Sequence, residues 1–366
     1  MEYGRGNIWR EHQHWWSLGC GKGDIWEIDK YKVLGYTLWY MNNILKIIEE
    51  KKRRLNAHLP MSKDLVKNFR EWFKIELTYT SNAIEGNTLS RAETALVMKD
   101  GLTVENKTLV EHLEAVNHGE AIDWIMEKVD KGEQTITKKT ILDLHQHILQ
   151  KIDDTNAGRF RNVSVRIAGS TVILPNPAKM PELMDKFVRW LQNSDINPVT
   201  LAIEVHFKLV SIHPFVDGNG RTARLLMNFI LWQAGYPPVI IGKEDRKQYL
   251  NSIEKAQLGG SSADYYTLMY GAVDHSLDIY LEAIENRQQN KILSNKPLLK
   301  IGELAKLTGE TVPTIRHWTN VGLLEVADYS LGGYQLYDQK MVTVVSKIRK
   351  WQRDKRLTLM EIKNLI

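Results

Sequence analysis

The sequence predicts a mainly α-helical protein in two parts: a helical bundle carrying one β-hairpin, and a small winged helix-turn-helix domain at the C-terminus. Three observations carry this. Apolar residues recur at helical spacing over most of residues 31–290, as in Leu201, Val205, Leu209 and Ile212. One stretch alternates instead: Val163-Ser164-Val165-Arg166-Ile167, then Gly169-Ser170, then Thr171-Val172-Ile173-Leu174, which reads as a hairpin. The charge is also uneven. The chain carries +5 overall, yet residues 291–366 hold thirteen Lys/Arg against seven Asp/Glu, a net of +6, leaving −1 for the rest. A basic segment of that kind is expected to be a separate domain with an anionic partner.

The 366 residues, 43% hydrophobic and 25% charged, can bury a sizeable core. The one cysteine, Cys20, excludes an internal disulfide framework and a cysteine-based zinc site. No apolar run is long enough for a membrane span, and no apolar h-region opens the chain. A cytoplasmic protein without membrane partners is expected.

In order, residues 1–29 are rich in Trp, Gly and His (Trp9, Trp15, Trp16, Trp26), and aromatic docking onto the following helix is their expected role. Helices are expected over 31–55 and 65–80, the latter running into Ser81-Asn82-Ala83-Ile84-Glu85-Gly86. Ser81 and Glu85 form an i,i+4 pair near a helix end closed by Gly86. Ser90 and Glu93 have the spacing of a capping box for the next helix. Residues 109–129 and 137–151 are helical by spacing. His145 and His147, two apart, cannot share a helix face as metal ligands, and His112 and His118 read as core or surface residues. The hairpin ends at Pro175, Pro177 and Pro181, and a helix follows over 180–192.

Chemistry concentrates in His213-Pro214-Phe215-Val216-Asp217-Gly218-Asn219-Gly220-Arg221-Thr222-Ala223-Arg224, a loop between two buried helices. Pro214 favours an extended conformation at His213 and ends the first helix there. Gly218 and Gly220 permit positive φ and close approach to the backbone. Free N–H groups opening the second helix make an anion site, and Arg221 and Arg224 at i and i+3 can fork onto phosphate oxygens. Asp217 beside phosphates suits Mg²⁺, and His213 can act as a base. The loop reads as a nucleotide phosphate cradle, the plain alternative being a helix-loop-helix with a capping His and solvated arginines. Beyond it, Ala234-Gly235-Tyr236-Pro237-Pro238 stops the helix, and helices are expected over 244–258 and 268–290.

The twelve residues resemble the signature of the Fic family, His-Pro-Phe-x-Asp-Gly-Asn-Gly-Arg-x-x-Arg, with all its positions present. Typical members transfer AMP from ATP to a protein hydroxyl. The resemblance implies a Fic-type helical bundle with a β-hairpin flap, and ATP and Mg²⁺ as cofactors. His213 would be the base and Asp217 the metal ligand. Asn219 and the Gly218 and Gly220 amides would receive charge on the α-phosphoryl oxygens, with Arg221, Thr222 and Arg224 completing the nucleotide site. Ser81, Glu85 and Gly86 match the family's N-terminal inhibitory motif, which implies an ion pair from Glu85 to Arg224 in the γ-phosphate's place. The hairpin corresponds to the flap that clamps a target's backbone, with Arg166, Ile167, Ala168 and Gly169 near the site. Tyr249 aligns with a position that packs against adenine, and Leu250 and Gln257 are its neighbours. Removal of AMP on the same site, and a nucleotide-sensing transcription regulator, remain open as alternatives.

Four regions are thus expected: 1–64, a helical N-terminal region; 65–286, the catalytic domain; 287–297, a polar linker; and 298–366. In the last, Ile301 to Gly309 is a helix closed by glycine, Thr311 to Trp318 is the second helix of a helix-turn-helix, and 332–337 a wing. These residues resemble the DNA-binding domain of the MerR family, without its long dimerisation helix. Arg316, Lys347, Arg349, Lys350, Arg353, Lys355 and Arg356 would contact DNA phosphates. A protein-interaction module of the same shape is the alternative. The expected partners are ATP, a target protein with an acceptor hydroxyl (the chain itself among the candidates), DNA, and a second copy in a homodimer, with a change of oligomeric state as the event that would displace Glu85.

Overall fold

The structure is a computed structural model that describes residues 30–133, 135–293, 298–329, 335–355 and 357–363. The Trp-rich segment 1–29, the wing tip 332–334 and Arg356 lie outside the described residues. The chain divides into two compact units, Met1–Leu281 and Glu282–Ile366.

The first unit is a helical bundle: α1 (Lys30–Ala57), α2 (Lys63–Glu85), α3 (Arg91–Asp100), α4 (Leu109–Asp130), α5 (Lys138–Leu149), α6 (Met180–Asn193), α7 (Pro198–Ile212), α8 (Asn219–Gln233), α9 (Arg246–Gln257) and the part of α10 (Ala263–Leu293) up to Leu281, where the units divide. Its centre is α8. Every residue from Arg221 to Leu231 is buried, which is how a helix surrounded on all sides by protein differs from an amphipathic surface helix. Helices α2, α4, α5 and α7 pack around it. Burial has a consequence for α8's polar residues: Arg221, Arg224 and Asn228 must find partners inside the protein. Asn228 does so by donating to Arg224 O and Val239 O and accepting from Val239 N–H, which pins the loop after α8.

Local signals set the helix ends. Ser90, Thr108 and Thr137 each cap the helix that follows in a reciprocal capping box. Pro198 stands in the first turn of α7 with Asn197 as its cap. Helix α2 runs to Glu85 and closes on Gly86 at φ 109°, a left-handed value that favours glycine. Its packing face changes along its length, from Phe69, Phe73 and Leu77 to Thr78, Thr80, Ser81 and Asn82, all buried. The polar half meets α8.

Three sequence expectations need correcting. No strand ladder forms over 163–174: the segment is extended on both sides of a turn at Gly169 (φ 77°), where Ser170 N–H donates to Ile167 O. Alternation marks extended backbone, but a ladder also requires facing N–H and C=O groups. Here one guanidinium joins the two arms instead, Arg161 donating to Val163 O at 3.1 Å and Pro175 O at 2.6 Å. Second, residues 287–293 of the expected linker are helical, since α10 continues to Leu293, and 294–297 lie outside the described residues. Third, α7 does end before Pro214, but His213 is left-handed (φ 52°, ψ 59°) and not extended. Its N–H closes back on Leu209 O at 2.9 Å, the usual closure of a left-handed helix cap.

The second unit carries β1 (Leu299–Lys300), α11 (Ile301–Thr308), α12 (Val312–Asn320), β2 (Asp328–Tyr329), β3 (Gln335–Tyr337), α13 (Lys340–Lys355) and α14 (Leu359–Lys363). The strands form an antiparallel sheet in the order β1-β3-β2, pairing Leu299 with Tyr337 and Asp328 with Leu336. Gly309 (φ 71°) ends α11, and Thr311 caps α12 by accepting from Thr314 N–H. Leu304, Ile315, Trp318, Tyr337, Val345 and Ile348 form its own core. Among the described residues, no helix is long and apolar enough to cross a membrane.

Candidate active site

The loop between α7 and α8 is held from several sides. Asn219 is 3% exposed and its amide is spent on the loop, accepting from Phe215 N–H at 2.9 Å and donating to Phe215 O at 3.0 Å. Thr222, fully buried, donates to Gly218 O. Both side chains brace the turn. From α5, His145 stacks on Phe215 with ring centroids 3.6 Å apart and planes 5° from parallel. Its Nδ1 accepts from Gly158 N–H, so Nε2 carries the proton and donates to Asp217 O at 3.0 Å. Burial pushes this imidazole down to about 4, which keeps it in that single neutral form. Gly218, at φ 75°, is the N-cap of α8 and provides no side-chain cap. The first amides of α8 therefore face the loop without intrahelical acceptors, as an anion site requires.

His213 sits at the rim. Its Nδ1 lies 3.3 Å from Val210 O and donates to it, leaving the Nε2 lone pair outward. Burial is the main cause that lowers its pKa, and Arg161 adds to it, while the Val210 carbonyl, Glu85 and Asp217 pull the other way. The imidazole is thus neutral, hence able to accept a proton, at neutral pH. The His213 carbonyl accepts from Arg161 Nε at 2.7 Å, and Arg161 N–H donates to Pro214 O. One buried arginine thereby ties the His213 corner to both arms of segment 163–174. At the tip of that segment, Glu254 of α9 accepts from Ser170 Oγ and Thr171 N–H. Arg166, Ala168 and Gly169 are exposed and Ile167 is half-buried.

The two arginines are buried and ion-paired. Arg221 (2% exposed) donates to Glu114 at 2.8 Å and to Asp217 at 3.0 Å. Arg224 donates to Ser81 Oγ, Ser81 O, the Tyr249 hydroxyl and, at 2.6 Å, Glu85. The carboxylates that hold them are Glu114 of α4 and Asp217 of the loop for Arg221, and Glu85 of α2 for Arg224, the pair the family resemblance implied. Glu85, one of whose oxygens holds Arg224, lies against Gly220, and a Cβ there would collide with that carboxylate. Gly220 is therefore small because Glu85 comes this close.

On α9, Tyr249 is 1% exposed, its hydroxyl 2.7 Å from His206 Nε2. It is packed in the core, where His206 and Arg224 take up its hydroxyl. Leu250 next to it is 38% exposed. Gln257 donates to Val210 O and Ser211 Oγ, at the carbonyl that also orients His213. Arg246 donates to Ile84 O at 2.6 Å, one residue before Glu85. Sequence reading missed Glu114, His145, Arg161 and Glu254.

A metal would have to come with its ligands. Among the described residues no three His, Cys, Asp or Glu gather for one. Asp217, a single carboxylate whose side chain is 66% exposed beside an anion site, fits Mg²⁺ bound largely through phosphate oxygens.

The Fic/DOC family profile matches residues 135–231, and the profile of the MerR HTH family of regulatory proteins matches 299–366. Fic-1 from C. elegans, in a singly substituted form, superposes with a TM-score of 0.63 at 30% identity, covering 69% of this chain and 76% of that one. The chain belongs to the Fic/DOC family. A Fic domain containing signaling protein from Bacteroides thetaiotaomicron superposes at a TM-score of 0.60 with 28% identity, over 66% of this chain and 98% of its own. "Protein adenylyltransferase Fic" of Drosophila grimshawi is 37% identical over 246 residues, 66% of this chain and 50% of the relative. The chain spans about half the length of the curated relatives it matches. The Fic signature is the loop just described.

In the second unit, Arg349 forms a two-pronged ion pair with Glu310 and lies over the Trp318 ring at 4.8 Å. Arg353 pairs with Asp354. Arg316, Lys347, Lys350 and Lys355 are exposed. Arg349, expected on a DNA phosphate, is thus part of the domain's own framework.

Proposed function

We propose that the chain is a protein adenylyltransferase that moves AMP from ATP to a Tyr, Thr or Ser hydroxyl of a protein, held back by Glu85. The observation that carries it is the pair Arg224–Glu85 lying against Gly220, beside a loop whose base and helix amides are already set. Triphosphate oxygens on the α8 amides would compete with the Glu85 carboxylate for one guanidinium. With Glu85 displaced, Arg224 takes the terminal phosphate. His213 Nε2 removes the proton of the acceptor hydroxyl, the oxygen bonds to the α-phosphorus in line, and the bond to pyrophosphate breaks. The Gly218–Gly220 amides receive the charge that develops on the α-phosphoryl group. Mg²⁺, held by Asp217, would neutralise the departing phosphates. Extended segment 163–174 is the surface along which a target backbone would lie, and Leu250, exposed beside Tyr249 on α9, would face the adenine base. The basic second unit supports DNA as its partner. Family likeness to proteins named adenylyltransferases, together with a neutral His213, favours transfer over a nucleotide sensor; removal of AMP would instead be hydrolysis on the same site, with Glu85 positioning the water.

Incubation with labelled ATP tests this. Label on protein should rise at least about tenfold in Glu85→Gly and fall by about 10²–10⁴-fold when His213→Ala is added. No label in any variant would leave the sensor reading.

A further inference from the structure

Arg221 poses a question that the transfer reading leaves open. It is 2% exposed, its charge cannot be shed, and its Nε has no partner among the described residues. One of its two carboxylates, Asp217, is the residue on which Mg²⁺ depends. A cation that draws Asp217 away would strip a buried guanidinium of a counter-charge, a costly step. The other carboxylate is Glu114, reached from α4, its side chain 16% exposed. Its second oxygen accepts from Asn87 Nδ2 at 2.8 Å, and Asn87 in turn holds Glu111 O and Leu89 N–H. Glu114 is therefore fixed independently of the loop, whereas Asp217 reaches outward from it.

We propose that Glu114 is a positioning residue that keeps Arg221 charge-compensated, so that the Asp217 carboxylate is released to the cation when metal and nucleotide arrive. The inference rests on Asp217 being the metal ligand in the reading above. In the free protein Arg221 is shared between two carboxylates; in the loaded one Glu114 holds it alone. Without the Glu114 charge, Arg221 would keep Asp217 for itself. The signature of this role is a weaker cation site, which general loosening of the fold does not produce selectively.

The test uses full-length Glu85→Gly protein as parent and compares it with the Glu85→Gly, Glu114→Gln double variant. Binding of Mn²⁺ in the presence of a non-hydrolysable ATP analogue is followed by electron paramagnetic resonance. Affinity for the cation should fall about tenfold, the scale typical of losing a residue that supports a metal ligand. The Mg²⁺ concentration for half-maximal labelling should rise similarly, with a smaller change in the rate at saturating Mg²⁺. Glu114→Asp should recover part of the loss. Unchanged Mn²⁺ affinity would overturn the proposal, as would an equal loss in Glu114→Asp. Should Glu114→Gln not fold, Asn87→Ala serves instead: it keeps the charge but loosens it, and a weaker cation site supports the role while an unchanged one overturns it. Since the resonance measurement needs no turnover, absence of labelling in the parent would count against transfer and leave this test standing.

Discussion

Arginine is used in two opposite ways in this chain. In the first unit Arg221 and Arg224 lie inside the bundle, and each reaches a carboxylate over a hundred residues away, Glu114 and Glu85 respectively. In the second unit Arg316, Lys347 and Lys350 stand in solvent, and Arg349, half exposed, pairs with Glu310 at the surface. Burial makes a charge expensive and therefore specific, since only a built set of acceptors can hold it. Exposure makes it cheap and adaptable, which suits a partner with a repeating anionic backbone. The same residue type thus marks a lock in one unit and a surface in the other.

The contrast can be broken most sharply at matched positions. Arg221→Leu strands the Glu114 carboxylate and should cost about 3 kcal/mol in urea unfolding of the first unit. Arg349→Ala, which removes a surface pair and a ring contact, should cost about 1 kcal/mol in the second. Equal costs would erase the distinction.

Acid should separate the units next. Burial holds His118 and His206 near 3 and His145 near 4. An unfolded imidazole takes up its proton below about 6.5, so the unfolded chain binds more protons between 6.5 and 4. The first unit is therefore fully stable above pH 6.5 and loses stability as the pH falls toward 4. The second unit, whose described histidine His317 is exposed, should hold its helix longer. Circular dichroism with Trp fluorescence across that range reads both, and simultaneous unfolding would count against the assignment. The smallest effect belongs to one solvated lysine: Lys350→Ala should weaken DNA binding evenly across sequences and lower the slope of log affinity against log salt by about 1.

How much of this could be read in the chain depended on distance along it. The loop 213–224 was legible because its chemistry is local: residues a few positions apart make the turn, the helix start and the base. The helix start at Ser90 was legible for the same reason. Glu85 with Arg224 was legible only through family resemblance, since 139 residues separate them. Glu114, His145 and Arg161 left almost no trace. The available signal was polarity on faces that should be apolar, as with Asn117 and His118 next to Ala115 on α4. Segment 163–174 misled because alternation describes the backbone's extension and says nothing of what pairs with it. The burial of Tyr249 was not legible, because it is fixed by His206 and Arg224, 43 and 25 residues away in sequence.

Arg161 gathers three carbonyls under one planar cation, those of His213, Val163 and Pro175. A peptide drawn along segment 163–174 would load the anchor that sets the aim of the imidazole. Docking and proton abstraction would then share a mechanical part, and a substrate too loose to tension that strand would find the base slack.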